Sequence, residues 1–319
     1  MHILHLLSQN HLTGAEVYAV TLAHQQIQLG HSVYQISNGF YFQSKALQTP
    51  LEVETKSFAT FLKNIFWLRN YIQSQKIHVI HTHSRAAAKL AYWATLWTKT
   101  AQVSTVHGVQ HASFSKKLHN QYGQFIIAVC ENIKDHLCLD FSYNEKFIKV
   151  LRNPVNSSQF YFIPKNSAET KSLKKLAIIG RTTGPKKERT EQALKTLAHM
   201  NIEITLIGGE LQNLNISDDY KSKIKLISHL ELTSAVYAKY DVIIGSGRVC
   251  IESILTGVPT IAFGEARFIG LVTEKNFQEA LKTNFGDIDL KSKTPKIDER
   301  KLIEDVEMAC NNNQFLPLS

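Results

Sequence analysis

Three observations predict an α/β fold of two domains, each a parallel sheet covered on both faces by helices. Short apolar runs alternate with stretches of helical period along nearly the whole chain, which is the pattern of βαβ units. At 319 residues the chain is long for one domain and comfortable for two of about 150. Near the midpoint, Pro164 and the polar run NSAETKS interrupt the alternation as a linker would. The expected division is 1–160 and 161–319.

The elements follow in order. Residues 2–8 read as a strand and 9–14 as a polar loop ending in Thr13 and Gly14. Residues 15–29 read as a helix through Val17, Val20, Leu22, Ala23 and Ile27 that stops at Gly30, and 32–37 as the next strand. The alternation continues with helix 57–74, strand 79–82, helix 85–98, strand 102–107, helix 115–122, strand 125–129 and helix 131–138. After the irregular stretch 155–172, residues 173–179 open a second sheet and run into the loop GRTTGPKKER, where Glu188 starts a helix. Strands are expected at 203–207, ending in Gly208 and Gly209, and at 225–228, with a helix at 232–239. The segment 241–265, DVIIGSGRVCIESILTGVPTIAFGE, reads as strand, glycine turn, helix and strand. Helices at 276–281 and 298–310 complete the chain, and the last is expected to cross back and brace the first domain.

Composition narrows the function. With 44% hydrophobic and 20% charged residues the chain can build ordinary cores, which excludes a disordered protein. The opening MHILHLLS reads as a buried strand rather than a signal peptide, and no run of eighteen apolar residues could span a bilayer. The four cysteines, Cys130, Cys138, Cys250 and Cys310, have neither metal nor disulfide-framework spacing and read as reduced thiols in a cytoplasmic protein. A formal charge of +9, with nine Lys or Arg against three acids over 161–200, calls for an anionic partner. No nucleic-acid motif is present, so the expected partners are a diphosphate and an anionic membrane surface, the latter bound weakly. Phe114, Ser115, Lys116 and Lys117 set an aromatic beside paired lysines, as a lipid interface prefers. Trp93 and Trp97, one helical turn apart, read as core or interface.

Several stretches carry chemistry. The helix after Gly245, Ser246 and Gly247 would aim its free N–H groups and positive dipole end above the sheet, a place for phosphate, with Arg248 opening it and Glu252 inside it to take sugar or ribose hydroxyls. Arg181 and Lys186, five apart across a loop with Gly184 and Pro185, can present a donor fork and a point charge to a pyrophosphate. His81 and His83 read as a pair on opposite faces of a strand end; with no third ligand nearby in sequence, no metal is expected. Asp287-Ile288-Asp289 reads as a loop accident. Twelve of the fourteen histidines precede residue 137, a bias that catalysis does not account for.

The ordered set TGAEVYAVTLAHQQIQLGHSV, VIHTHS (79–84), STVHG (104–108), IIAVCENIKDHL (126–137) and VLRNPVN (150–156) resembles the family 4 glycosyltransferases of the GT-B fold over nearly the whole chain. The resemblance implies two Rossmann-like domains facing across a cleft, the acceptor on the first and the nucleotide on the second. It implies transfer of a sugar, with retention, from a nucleotide diphosphate donor, UDP favoured, to a lipid-linked or cell-surface glycan acceptor, without a metal, on the inner face of the cell membrane. His107 matches the histidine that lines the donor sugar; Arg181 and Lys186 match the pair that neutralises the leaving diphosphate; Glu252 would hold the ribose; Glu16 would act as a base or acceptor contact. Gly14, Gly180, Gly208, Ser246, Gly247 and Arg248 fall in the loops around the donor, and His229 and Leu230 where the backbone wraps the nucleobase. The sequence departs from the family in lacking the first of two glutamates eight positions apart, Ile244 standing there, and in having Lys187 for a glycine. Ser246-Gly247 ahead of a helix with Glu252 also resembles the UDP-N-acetylglucosamine 2-epimerases. An epimerase and a non-catalytic nucleotide-sugar-binding subunit therefore remain alternatives.

Overall fold

The computed structural model describes residues 1–8, 13–110, 121–164, 173–291 and 297–311. The chain divides into two compact units, Met1–Pro154 and Val155–Ser319, six residues before the boundary expected from sequence.

The first unit runs β1 (His2–Leu6), α1 (Gly14–Gln28), β2 (Ser32–Ser37), β3 (Leu47–Pro50), α2 (Phe58–Ser74), β4 (Val79–Thr82), α3 (Arg85–Thr95), β5 (Ala101–Val106), β6 (Phe125–Ala128), α4 (Glu131–Phe141) and β7 (Ile148–Val150). Its seven strands are all parallel, in the order β3-β2-β1-β4-β5-β6-β7. Helices start where a hydroxyl can stand in for the missing acceptor. Thr13 accepts from Glu16 N–H, Ser57 from Thr60 N–H and Ser84 from Ala87 N–H. Beneath α2 and α3, the strand side chains Leu4, Leu6, Ile36 and Ile80 meet Leu68, Ile72, Ala87 and Leu90 in one cluster; each fully buried Leu or Ile there contributes about 1.5–3 kcal/mol.

In the second unit come β8 (Lys174–Ile179), α5 (Pro185–Leu197), β9 (Ile202–Ile207), α6 (Asp218–Lys221), β10 (Lys225–Ile227), α7 (Ser234–Tyr237), β11 (Val242–Gly245), α8 (Arg248–Thr256), β12 (Thr260–Phe263), β13 (Phe268–Leu271), α9 (Phe277–Lys282) and α10 (Glu299–Asn311). The sheet order is β10-β9-β8-β11-β12-β13, parallel except for β13 at the edge. Expected to cross back to the first unit, α10 instead packs Leu302, Val306 and Ala309 into the core of its own unit, with Leu176, Ile178, Ile244, Ile261 and Phe263. Its apolar stripe covers a face of that sheet that would otherwise meet water.

In each sheet the chain order reverses beside the first strand, between β1 and β4 and between β8 and β11. Such switch points leave a crevice at the carboxyl ends of the strands, where α/β sheets bind ligands. Both units are doubly wound and Rossmann-like.

Candidate functional site

At the switch point of the second unit, β8 ends in Gly180 and the loop to α5, and β11 ends in Gly245, Ser246 and Gly247 ahead of α8. The two helices that start here lack the hydroxyl caps of α1, α2 and α3. Gly184 and Gly247 are their N-cap residues, and neither end has a side-chain capping bond. Gly247 has φ 55°, and a Cβ there would stand 3.0 Å from Asp287 Oδ2; only glycine suits that backbone and that space. The uncapped ends leave N–H groups and dipole for an external anion.

Charged side chains gather around them. Lys186 Nζ donates to Ser246 Oγ at 3.1 Å and to Asp287 Oδ2 at 3.2 Å, and lies 3.9 Å from Glu265 Oε1. Half-exposed Arg181 stands 3.7 Å from the same Glu265 oxygen. Asp287, read from sequence as an accident of a loop, is therefore part of this cluster. Its Oδ1 also accepts from the Glu265 N–H at 3.2 Å. Asp289 belongs elsewhere, accepting from the Lys291 N–H.

Sequence reasoning missed Arg189, one of the largest fully buried side chains among the described residues. Its guanidinium donates to Ser246 Oγ at 3.0 Å, to the Phe263 carbonyl, and to the Ile179 carbonyl at 3.3 Å, tying together the ends of β8, β11 and β12. A Cβ on Gly180 would come within 2.4 Å of Nη2, so Gly180 is small to admit this arginine. The signal was present: Arg189 sits four residues into α5, on the face carrying buried Ala193 and Thr196.

Glu252 lies inside α8. It is buried rather than open to solvent, with Oε2 accepting from Tyr237 O–H at 2.7 Å and Oε1 2.7 Å from Arg248 Nε. Burial raises its pKa, opposed by Arg248 and the Tyr237 bond. A ribose hydroxyl would have to displace the Arg248 side chain to reach it. Gly208, at φ 87°, ends β9 against the Gly180 carbonyl. His229 and Leu230 lie exposed just after β10.

The switch point of the first unit is furnished differently. Gly14 opens α1, and Glu16, buried, accepts the Tyr41 and Phe42 N–H groups on Oε1 at 2.6 and 3.1 Å. Its Oε2 has no hydrogen-bond partner, and burial raises its pKa against those backbone bonds. His107 follows β5, its Nε2 sealed from water and without a partner; Tyr18 meets it edge-on at 5.0 Å. Burial pushes its pKa down to about 4, so the ring is neutral at pH 7. His81 and His83 do not lie on opposite faces: residues two apart along an extended strand share one, and their rings stack with centroids 4.3 Å apart. Phe114, Ser115, Lys116, Lys117 and the helix expected at 115–122 fall wholly or mostly outside the described residues.

Residues 12–159 match the family model described as Glycosyltransferase Family 4. That match lies almost wholly within the first unit, Met1–Pro154. No curated protein matches the sequence. Among solved structures, a glycosyltransferase from Rickettsia africae ESF-5 is similar over 98% of this chain and 99% of that one, at 21% identity and a TM-score of 0.68. Sucrose-phosphate synthase from Thermosynechococcus elongatus is similar over 99% and 91%, at 14% identity and a TM-score of 0.70. Anabaena Alr3699/HepE, solved in complex with UDP, is similar over 82% and 80%, at 14% identity and a TM-score of 0.61. These neighbours place the chain in the GT-B fold. Family and fold together support a transferase.

Proposed function

We propose that the chain transfers a sugar from a UDP-sugar to a hydroxyl of a lipid-linked or cell-surface glycan, with retention and without a divalent metal at the diphosphate. The observation that carries this reading is the cation and helix-end cluster of the second unit. Lys186 sits on Ser246 beside the uncapped start of α8, with Arg181 alongside. In transfer the bond from C1 of the sugar to the β-phosphate oxygen breaks with its electron pair leaving on the diphosphate, while the acceptor oxygen bonds to C1 and gives up its proton. Arg181, Lys186 and the N–H groups at Gly247 and Arg248 stabilise that growing charge, the work a metal does elsewhere. Gly180 and Gly208 keep the strand ends open to the diphosphate, Glu252 takes the ribose once Arg248 swings away, and His229 and Leu230 pass beside the base. In the first unit, neutral His107 meets the transferred sugar, and Glu16 acts through its unpartnered oxygen on the acceptor. Structures similar to this chain include one with bound UDP-glucose, which supports UDP as the nucleotide.

The membrane contact belongs to α2 and α3 in this reading. From Thr55 to Cys130 the sequence has nine Lys or Arg and no Asp or Glu. Phe58, Leu62 and Phe66 recur every fourth residue along α2, all exposed. Trp93 and Trp97, expected to be core or interface, are both exposed, Trp97 at 92% where the chain turns at φ 62° past the end of α3 at Thr95. Arg69 stands 5.9 Å from the Trp97 ring. Aromatics in a segment with cations and no acids suit the headgroup layer of an anionic membrane, on the inner face of the cell membrane, held weakly. Among the described residues no helix is long and apolar enough to cross a membrane.

A thermal-shift screen of UDP, GDP, ADP and CMP, followed by nucleotide release from a panel of nucleotide sugars with and without acceptor, tests the reading. Acceptor-dependent UDP release supports transfer. Release without acceptor, together with a 2-epimerised sugar, favours the epimerase alternative, a fold seen here in the Methanocaldococcus jannaschii UDP-GlcNAc 2-epimerase at a TM-score of 0.53. Binding with no turnover of any sugar leaves the binding subunit.

A further inference from the structure

Four histidines from three strand ends meet in the first unit. His5 Nδ1 lies 2.9 Å from His83 Nε2. The His5 ring stands 5.3 Å from His81 and 5.1 Å from His83, and His107 stands 5.8 Å from His83. One ring nitrogen from each of His5, His81 and His83 falls within 4.8 Å of the others, and all three residues are buried. The far nitrogens are already anchored, His5 Nε2 at 2.8 Å from Gln26 Oε1 and His81 Nε2 at 2.7 Å from Thr105 Oγ1. Such outer bonds fix tautomer and ring orientation where imidazoles ligate a metal. Beside the three, His107 Nε2 is buried with no hydrogen-bond partner. Buried polar atoms left this way call for an explanation.

We propose that His5, His81 and His83 bind a borderline transition-metal ion, zinc foremost, with its fourth coordination position facing His107. Two nitrogens on a tetrahedral zinc at about 2.0–2.1 Å lie roughly 3.3 Å apart. The His5 to His83 separation of 2.9 Å is already near that value, and His81 has to turn toward the pair by little more than an ångström. Imidazole donors select zinc, copper, nickel or iron; no carboxylate belongs to the triad, so magnesium, manganese and calcium find no hard ligand in it. A metal would bind the lone pairs of these three buried rings, which stand within reach of one another. Three neutral imidazoles leave the ion its full charge, so the fourth position takes water or an anionic oxygen unless His107 turns in. The site uses residues of the first unit alone and stands whether or not the transferase reading does.

The test begins with the full chain freed of metal by dialysis against a chelator and titrated with cobalt(II), then with zinc(II). The expected result is one tight equivalent, visible d–d absorption from four- or five-coordinate cobalt, and zinc-edge scattering from at least three imidazoles at about 2.0–2.1 Å. His81→Asn and His5→Asn, each verified as folded by circular dichroism, should lose more than about a hundred-fold in zinc affinity. His78→Gln, in the separate pair where His2 and His78 stand 5.5 Å apart, should leave affinity unchanged. No stoichiometric site, a zinc edge dominated by oxygen or sulfur, or loss of binding in His78→Gln rather than His81→Asn overturns the proposal. If the buried variants fail to fold, the zinc-edge spectrum of the unaltered chain, with His78→Gln beside it, decides alone.

Discussion

Arg189→Met should destabilise the second unit while Arg181→Met, eight residues earlier in the loop that leads into α5, should not. Methionine keeps the apolar stem of arginine, ends about where Nε stands, and donates nothing. Two buried carbonyls, of Ile179 and Phe263, lose their guanidinium donor, while Ser246 Oγ keeps Lys186. Leaving two buried acceptors short costs about 1–3 kcal/mol each, and part is returned because a buried cation no longer needs desolvating. Burial already lowers the pKa of Arg189, the sign of that desolvation cost. A net loss of about 2–4 kcal/mol, at about 2–4 °C per kcal/mol for a unit of this size, gives a melting temperature lower by roughly 4–16 °C. Arg181 is half-exposed and 3.7 Å from Glu265, an arrangement worth at most about 0.5 kcal/mol. Its variant should melt within about 2 °C of the parent and fall instead in UDP affinity, by about ten- to hundred-fold if a contact of about 1.5–3 kcal/mol is lost. Calorimetry of the full chain, fitted with separate transitions for the two units, together with UDP titration, reads both. Equal melting of Arg189→Met and the parent, or equal loss of stability in the two variants, refutes the division of labour.

Asp287→Asn removes an acid that competes with a diphosphate for Lys186 while keeping an acceptor for the Glu265 N–H, so UDP binding by calorimetric titration should tighten by about 1.5- to 5-fold; weakening would mean that Asp287 positions Lys186 rather than opposing its ligand. Replacing Phe58, Phe66 and Trp97 together by serine should abolish sedimentation with anionic vesicles at low salt while leaving the fold intact, and the parent's binding should itself fade above physiological salt; equal binding to neutral and anionic vesicles would remove the membrane assignment. Glu16→Gln keeps one acceptor oxygen but drops the charge that the Tyr41 and Phe42 N–H groups share. Hydrogen exchange at those two amides should rise several-fold, and unchanged protection would show that the loop is held by something else. His107→Ala should lower transfer and spare UDP affinity; a loss of UDP affinity as large as that in Arg181→Ala would place His107 on the nucleotide.

The fold was legible where local chemistry and tertiary packing agree. Helix α2 could be bounded from Ser57 and its apolar period, and β4 and β12 from short apolar runs ending at turns. Strands β3 and β7 escaped notice because Leu47–Pro50 ends in proline and Ile148–Val150 has only three residues, so neighbours rather than propensity make them strands. Arg181 and Lys186 were legible as a loop motif and do come together around Glu265. Arg189 was not, since a basic residue in a basic run reads as solvated until the sheet ends it bridges are known. Asp287 and Glu265 meet Lys186 from 101 and 79 positions away (287 − 186 and 265 − 186), and no spacing rule reaches that far. His5 lies 76 and 78 positions from His81 and His83 (81 − 5 and 83 − 5) and joins them only because β1 and β4 are neighbours in register, His5 opposite His81.

That register has a consequence for how the two units divide the chemistry. Each sheet reverses its chain order beside its first strand, so each offers a crevice at equivalent strand ends. In the second unit the crevice holds cations against acids at 3.2–3.9 Å, and an incoming diphosphate competes with those acids for the cations by offering stronger, doubly charged contacts. In the first unit it holds rings that burial keeps neutral, packed at 4.3–5.8 Å. The histidine rings themselves offer a diphosphate no charge, and one seated against them would cost its hydration without return. What such a crevice can accept is an uncharged hydroxylated ring, or a metal that supplies the charge itself. That contrast in charge supports the proposed seat of the nucleotide on the second unit, independent of any likeness to other proteins.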